Sequence, residues 1–366
     1  MPWLPMLMAT LLFLAGCANV SPPQSPGGTG QARALPPSNE APPARLPFAP
    51  PVSPRLPATL APFEIAAGPD GNIWFTEFRA NRIGSITPSG EISSFELGGG
   101  GFPERLSGGP DDAIWFTDPA GNRLGRLGMD GATAYVLLPT PQSGPAGITL
   151  GTDGNLWFTE HAANRVGRVT PLGTVTEFVL PHKGSPAGIV EGTDGEFYIA
   201  ENGGNRIDRI SMDGRVVEFP LPTPVRRPND LTVTQDGSIW FTEIATDRIG
   251  RLTSGEVAEY ELPVRGRPLG ITAGPDGNVW VTVPHAHAVC KVARDGRAEA
   301  FFLPDRTRPG FIATGADGNL WFTEPDGMIG RVTPAGALVE FSARPSENAR
   351  DESRAPELVR RLLIAP

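Results

Sequence analysis

The chain has 366 residues, with 40 acidic against 31 basic side chains and a formal net charge of −9 at pH 7. This acidic balance, without a basic stripe, argues against a nucleic-acid partner. Only two cysteines are present, so the fold cannot depend on a set of disulfides.

The first 17 residues have the features of a bacterial secretion signal. Residues 4–16 are apolar but too short to span a bilayer. They lead into Leu14-Ala15-Gly16-Cys17, which resembles a lipobox, where the cysteine is lipidated and becomes the mature N-terminus. We therefore predict a lipoprotein signal peptide over residues 1–17, with lipidation at Cys17. An ordinary secretory signal with a chance cysteine is the alternative.

Residue Ala18, directly after this cysteine, resembles the outer-membrane sorting pattern. We expect an outer-membrane lipoprotein of the bacterial envelope, with its folded part in the periplasm and its lipid as the only membrane contact. Residues 18–60 contain twelve prolines among small and polar residues. Such a segment cannot bury enough apolar surface to fold, which predicts a disordered tether.

Residues 61–343 repeat one pattern seven times. In the first repeat it reads Gly-Pro-Asp-Gly-Asn-Ile-Trp-Phe-Thr-Glu over residues 68–77, followed by Asn-Arg-Ile-Gly over residues 81–84. A period of about 40–45 residues is typical of propeller blades and solenoid turns. The central aromatic residues are Trp74, Trp115, Trp157, Tyr198, Trp240, Trp280 and Trp321.

Each repeat contains four short apolar or β-branched runs separated by turn residues. In the third repeat the runs are 147–150, 156–159, 165–170 and 175–180. Asp-Gly between such runs favours a tight hairpin, and none of the repeats shows a helical period. The sequence therefore predicts an all-β fold, a seven-bladed β-propeller of four-stranded antiparallel blades. The pattern ends near residue 343, and the tail 344–366 contains a candidate short helix over residues 356–364.

The two ends of the predicted blades differ in how closely the repeats agree. The turns between strands 1 and 2 and between strands 3 and 4 share one end, and their Asp-Gly and Pro-x-Gly sequences recur; we call this end the repeated face. The loops between strands 2 and 3 share the other end with the links between blades, and their sequences vary; we call it the divergent face. A divergent face on a repeated scaffold is typical of a binding surface.

The residues after each linking proline are expected to surround the central channel on the divergent face. Three blades carry polar or charged pairs there, and we predict as ligand-binding residues Phe63, Glu64, Glu104, Arg105, Asn229 and Asp230. One interpretation is a cation site, because Glu64, Glu104 and Asp230 offer oxygen ligands suited to Mg²⁺ or Ca²⁺. The other interpretation is a hydrogen-bonded plug in which Arg105 neutralises a carboxylate.

Acidic and arginine side chains flank the loop between strands 2 and 3 in five of the seven blades, and blade 6 lacks both partners, with Val283 and Ala288 in their places. We expect these residues to pair across the hairpin, a structural role. Blade 7 keeps Glu324 but has Met328 opposite, which makes Glu324 a candidate catalytic residue. The predicted pairs are Glu77/Arg82, Asp118/Arg123, Glu160/Arg165, Glu201/Arg206 and Glu243/Arg248.

Two histidines and one cysteine in blade 6 are further candidates. His285 and His287 would point the same way from an extended segment and could bind a metal or act as a general base; a solvated loop is the alternative. Cys290 takes the place of a glycine in most other blades, which favours a small buried filler over a nucleophile.

The repeat sequence, with its Glu-Phe-x-Leu-Pro ending, resembles the virginiamycin B lyase (streptogramin lyase) family over all seven blades. This resemblance implies a Mg²⁺-dependent C–O lyase that opens a cyclic depsipeptide by elimination, with a histidine base. The family's catalytic histidines fall at Leu269 and Gly310 here, a glutamate at Arg308 and a loop carboxylate at Pro325. The pairing of Asp230 with Glu64 also resembles the metal ligands of calcium-dependent lactonases.

Three functions follow as hypotheses. The first is a monomeric binding module for a small or peptidic ligand on the divergent face. The second is a divergent metal-dependent lyase, with Mg²⁺ implied by the resemblance. The third is an interaction scaffold of the envelope.

Overall fold

The computed structural model describes residues 61–304 and 307–342. The predicted signal peptide, Cys17, the tether and the C-terminal tail lie outside the described residues. No helix within the described ranges has the length and apolar character needed to cross a membrane.

The strands form seven separate four-stranded sheets, each antiparallel and each built from consecutive segments, which confirms the predicted fold. Blade 1 consists of β1 Pro62–Ala67, β2 Ile73–Glu77, β3 Arg82–Ile86 and β4 Ile92–Glu96, and blade 2 of β5 Leu106–Gly108, β6 Ile114–Asp118, β7 Arg123–Leu127 and β8 Thr133–Leu137. Blade 3 consists of β9 Pro145–Leu150, β10 Leu156–Glu160, β11 Arg165–Val169 and β12 Val175–Val179, blade 4 of β13 Pro186–Glu191, β14 Phe197–Glu201, β15 Arg206–Ile210 and β16 Val216–Pro220, and blade 5 of β17 Pro228–Val233, β18 Ile239–Glu243, β19 Arg248–Thr253 and β20 Glu256–Glu261. Blade 6 consists of β21 Ile271–Ala273, β22 Val279–Val283, β23 Ala288–Val292 and β24 Ala298–Phe302, and blade 7 of β25 Ile312–Thr314, β26 Leu320–Glu324, β27 Met328–Val332 and β28 Leu338–Ser342. Two loops between second and third strands contain short 3-10 turns, at Phe78–Ala80 and Pro284–Ala286.

The first strand of each blade lies on the inside of the ring, and blade 7 closes onto blade 1. The strand β25 contacts β1 directly. The closing contact is apolar, because Phe311 and Trp321 of blade 7 pack with Ile65 and Phe75 of blade 1. A hydrogen bond of 2.8 Å from Thr323 Oγ1 to the Phe63 carbonyl adds a polar contact.

A repeated cation–aromatic contact joins neighbouring blades on the repeated face. In blade 7, Trp321 donates from Nε1 to Asp317 Oδ1 at 3.1 Å. The Arg331 guanidinium lies 5.1 Å from the Trp321 ring centroid and donates to the Pro88 carbonyl of blade 1 at 2.7 Å. Arg251 reaches the Arg294 carbonyl of the next blade in the same way, at 2.7 Å. One side chain therefore supports both its own blade and the next.

Close packing of a phenylalanine over a glycine fixes the spacing of strands 2 and 3. Phe158 pairs with Gly167 in the strand register, and a Cβ added to Gly167 would lie 2.0 Å from Phe158 Cζ. Four other blades have the same pair. Blade 4 replaces it with Ile199 and Asp208, and blade 6 with Val281 and Cys290. A smaller side chain on strand 2 thus accompanies a larger residue on strand 3.

This covariation explains Cys290 as a filler. Its side chain is fully buried beside Val281, and burial raises the pKa of the Cys290 thiol to about 12. A thiol that stays protonated at neutral pH is a poor nucleophile.

We expect Gly167→Ala to destabilise the propeller by about 1–3 kcal/mol through overpacking. The second substitution Phe158→Val should recover part of this loss, because it makes the space that blade 6 already has. Urea unfolding followed by tryptophan fluorescence measures both. Gly98→Ala serves as the control, since a Cβ added at that glycine would meet no other side chain or backbone within 4 Å. A double variant less stable than Gly167→Ala alone would contradict the account.

Candidate functional site

The channel on the axis of the ring contains three charged side chains from three blades. Glu64, Arg105 and Asp230 line a cavity of about 140 Å³, together with backbone from Gly147 and Gly188. The two glycines are required there because a Cβ on either would lie 2.4–2.6 Å from a carbonyl oxygen of the next inner strand. Blades 3 and 4 therefore supply backbone to the channel, and blades 1, 2 and 5 supply charge.

The Arg105 guanidinium connects these blades across the channel. Its Nη1 lies 2.7 Å from Glu64 Oε2 and 3.4 Å from Asp230 Oδ1. Its Cζ lies 3.8 Å from the Phe311 ring centroid, a distance at which a cation is attracted by an aromatic face. Asp230 also accepts a hydrogen bond from the Ile271 amide at 3.0 Å. One arginine thus contacts side chains from blades 1, 5 and 7.

Burial dominates the electrostatics of the channel. Burial raises the pKa of Glu64 to about 8, with the Arg105 charge opposing and the Asp230 charge adding to the rise. Burial also raises the pKa values of Asp230 and Glu104, again against Arg105. Burial therefore favours the protonated form of these carboxyl groups, and the Arg105 charge favours their ionised form.

The carboxylates of the channel can be compared with the ligand set that Mg²⁺, the ion implied by the family resemblance, would need. In the described part of the chain, no group of three or more His, Cys, Asp or Glu side chains is placed to hold a metal ion. Glu64 and Asp230 share Arg105, which corresponds to the plug interpretation. The carboxylates of Glu64, Glu104 and Asp230 therefore do not form a ligand set that fits Mg²⁺ in this structure.

The two blade 6 histidines diverge, and the extended segment predicted for them is wrong. Pro284–Ala286 forms a 3-10 turn, and His287 follows in the left-handed region with φ of 51°. The imidazole Nδ1 of His285 lies 3.2 Å from the Gly266 carbonyl, and that of His287 lies 2.7 Å from the Thr307 carbonyl. The turn therefore sends the two rings to the links on opposite sides of blade 6.

The predicted acid–arginine pairs are in register in all five blades, but their ion pairs vary. Asp118 binds Arg123 at 2.7 Å. Glu77 and Glu201 lie 4.0 and 3.7 Å from their partners, Arg82 and Arg206.

In blade 5 the predicted partner is replaced by one from the preceding link. Glu243 lies 3.5 Å from Arg226 of that link, while Arg248 turns to Glu261 at 2.5 Å. Glu324 is buried opposite Met328 at the end of β26, so it does not open onto solvent.

Two aromatic residues that the sequence reasoning missed, Phe78 and Phe102, extend the site on one side of the predicted Phe63. Phe78 lies 5.7 Å from Phe63 and 5.6 Å from Phe102 between ring centroids, and Phe63 lies 5.2 Å from Phe311. The run leads from the channel to the link between blades 1 and 2. Each of Phe63, Phe78 and Phe102 is half-buried. The signal available in the sequence was phenylalanine at loop positions where other blades have unrelated residues.

Polar residues missed by the same reasoning lie on the opposite side, in blades 3 to 5. His161 Nδ1 is 3.2 Å from the Pro186 carbonyl. Asn202 donates to the Pro228 carbonyl at 3.2 Å and accepts from Arg227 Nε at 3.3 Å. Burial lowers the pKa of His161, and the Arg227 charge lowers it further. A neutral imidazole with Nδ1–H on a carbonyl presents Nε2 as an acceptor.

Removal of the channel arginine should be strongly destabilising. We expect Arg105→Ala to cost about 3–5 kcal/mol, because Glu64 and Asp230 would remain buried without their cation. Denaturant unfolding at pH 7 measures the loss. Arg215→Ala is the control, since Arg215 and its partner Asp213 are both exposed and such pairs contribute little to stability. Equal losses in both variants would contradict the proposed role of the channel network.

Comparison with known proteins finds virginiamycin B and streptogramin B lyases by both sequence and structure. The model of the virginiamycin B lyase family matches residues 53–187 and 181–353. A solved streptogramin B lyase is 36% identical, covers 76% of this chain and 95% of its own, and superposes with a TM-score of 0.73. A catalytically inactive His-to-Ala variant of the virginiamycin B lyase from Staphylococcus aureus, solved with quinupristin, is 35% identical over 76% of this chain and 96% of its own, with a TM-score of 0.71.

A curated virginiamycin B lyase from Saccharopolyspora erythraea is 46% identical over 44 residues, which are 12% of this chain and 15% of that protein. This short alignment carries less weight than the family model and the solved structures. The family model alone spans well over half of the sequence. The chain therefore belongs to the virginiamycin B lyase family.

Proposed function

We propose that the divergent face binds a small or peptidic ligand that has both an aromatic and a hydrogen-bonding part. The observation that carries this proposal is the two-sided surface around the channel. Phe63, Phe78 and Phe102 form its aromatic side, and His161 and Asn202 belong to its polar side. Aromatic rings supply contact area, and a few placed polar groups supply orientation.

The network of Arg105 supports a preformed site. It ties blades 1, 2, 5 and 7 at the base of this surface, so that the surrounding loops sit on a fixed frame. A preformed site loses less conformational entropy on binding than a mobile one. The solved relative from Staphylococcus aureus holds quinupristin, and we propose a ligand of related size and chemistry.

A divergent C–O lyase is the second candidate. Family membership favours it, and so does His161, a half-buried imidazole with lowered pKa whose Nδ1 faces the Pro186 carbonyl. Its Nε2 lone pair would take a proton from the carbon next to the one that carries the ester oxygen. A carbon–carbon double bond would form between these two carbons as the alkyl carbon–oxygen bond breaks, with its electron pair leaving on the carboxylate. Against this candidate, the family's catalytic positions hold Leu269, Arg308, Gly310 and Pro325. We therefore place binding ahead of catalysis.

Quinupristin is the probe that tests ligand binding. Titrated calorimetrically into the purified chain, it should bind, and Phe78→Ala should weaken the affinity about 3–10-fold through loss of an aromatic contact. Leu172→Ala is the control, because Leu172 is an exposed apolar residue on the repeated face. No binding, or equal weakening by both substitutions, would reject the site.

The same mixtures of protein and quinupristin test for lyase activity. Elimination converts the lactone into a linear isomer of unchanged mass and altered retention, whereas hydrolysis adds the mass of water. We expect neither product by liquid chromatography and mass spectrometry, with or without Mg²⁺. A linear isomer that disappears in His161→Gln would establish the second candidate instead.

The proposed location in the envelope rests on residues 1–17 of the sequence. We expect the expressed protein to be lipidated at Cys17 and to fractionate with the outer membrane. Cys17→Ser should abolish incorporation of labelled fatty acid and leave the protein out of the outer-membrane fraction. Labelling that persists in Cys17→Ser would reject the anchor and leave the ligand proposal untouched.

A further inference from the structure

One position in each blade lies directly before the linking proline, where the chain enters the ring on the divergent face. Three consecutive blades carry arginine there, namely Arg227 in blade 5, Arg267 in blade 6 and Arg308 in blade 7. We call these three residues the arginine arc. The other four blades carry uncharged residues at this position, which are Ala61, Phe102, Gly144 and Ser185. The cations at this position are therefore gathered on one side of the ring.

The arginine arc stands at the mouth of the channel. Asp230, Ile271 and Ile312 line the channel cavity, and each of them follows an arc residue within the same link and inner strand. The inner strands of blades 5 and 6 contact each other, and so do those of blades 6 and 7. An arginine side chain is long and ends in a planar fork of donors, so neighbouring arc residues are placed to share one bound group.

The backbone at two arc positions favours glycine over arginine. Arg227 and Arg267 have φ of 55° and 59°, in the left-handed region, where a Cβ atom is unfavourable. Blade 3 has Gly144 at the equivalent position, with φ of 64°. Blades 5 and 6 thus place arginine there against the local backbone preference. Residues held in such conformations cluster at binding and catalytic sites.

Hydrogen bonds fix the links that carry the arc. In blade 5, the Ile244 amide donates to the carbonyl of the arc residue at 3.2 Å. In blade 6, Asp247 Oδ1 accepts from the amide of the arc residue at 3.4 Å. In blade 7, His287 Nδ1 lies 2.7 Å from the carbonyl of Thr307, which directly precedes the arc residue. Cations on a fixed backbone lose less conformational freedom when they bind a ligand.

The charge of the arc decides which class of ligand it suits. A guanidinium is always protonated and has only donors, so it repels metal cations and pairs with carboxylate and phosphate groups. The family resemblance implies a glutamate at the position of Arg308. A basic side chain therefore stands at the mouth of the channel where an acidic one is implied, which favours an anion there and disfavours a cation.

We propose that the arginine arc binds an oxyanionic group, a carboxylate or a phosphate, of a small ligand at the mouth of the channel. Asn202 accepts from Arg227 Nε at 3.3 Å and so connects the arc to the polar side of the divergent face. The inference rests on the proposed binding function for a ligand on this face and adds an acidic group to that ligand. Anion binding is measured without quinupristin, so either proposal can fail alone.

Calorimetric titration of the full chain with tricarballylate, a small tricarboxylate, and separately with inorganic phosphate tests the arc. At low ionic strength we expect at least one of the two anions to bind, with an affinity that falls as sodium chloride is added, because salt screens exposed charges. Tighter binding of tricarballylate would identify a carboxylate ligand, and tighter binding of phosphate a phosphate ligand. The uncharged triamide of tricarballylate should not bind. Absence of binding by both anions would reject the arc and leave the quinupristin test unaffected.

Arg308→Gln tests whether the arc itself holds the anion. Arg308 is exposed, and loss of its charged donors should weaken the affinity for the bound anion about tenfold or more. Arg265→Gln is the matched control, because it removes the same charge from an exposed residue of the link into blade 6, outside the arc. Equal weakening in both variants would show an effect of net charge alone and overturn the proposal.

Arg267→Gly separates binding from a structural role of the arginine. Glycine suits the φ of 59° at this position, so the melting temperature should equal or exceed that of the wild type. The affinity for the anion should nevertheless fall about tenfold. An unchanged affinity, or a melting temperature that falls together with the affinity, would overturn the assignment of Arg267 to the arc.

Discussion

The close contact of a phenylalanine over a glycine, repeated in five of the seven blades, is the constraint on which the rest of the structure depends. It brings strands 2 and 3 together over a large buried ring, and in blade 7 the adjacent Trp321 lies beside Arg331, which reaches the next blade. Because protein interiors are close-packed, neither residue can change alone. The Ile199/Asp208 and Val281/Cys290 pairs show the permitted exchange.

Ring closure then brings buried charge to the axis. Seven inner strands converge there, and the blade 3 and 4 strands approach so closely that they carry glycine. The remaining space of the channel holds Glu64, Arg105 and Asp230, and both carboxylates contact the Arg105 guanidinium. Buried charges are tolerated only when they are paired. The channel is therefore a fixed base, and the variable loops above it are free to differ in chemistry.

The comparison with solved lyases separates scaffold from chemistry. Identity near 35% and a TM-score above 0.7 show a common fold, whereas the resemblance implies catalytic positions that hold Leu269, Arg308, Gly310 and Pro325 in this sequence. Function belongs to the site and not to the fold. The aromatic and polar sides of the divergent face belong to this chain's own loops, and the proposed binding of a ligand rests on these loops.

The sequence by itself determined the number of blades, the strand order and the in-register acid–arginine pairs, because turn chemistry and alternation act over a few residues. The tertiary structure alone decided which charges meet. Arg105 contacts Asp230 from 125 residues away, Glu243 is reached by Arg226 of a link, and His287 turns away from His285 in a 3-10 turn. Such contacts depend on ring closure and on backbone direction at loop ends, which no local pattern specifies.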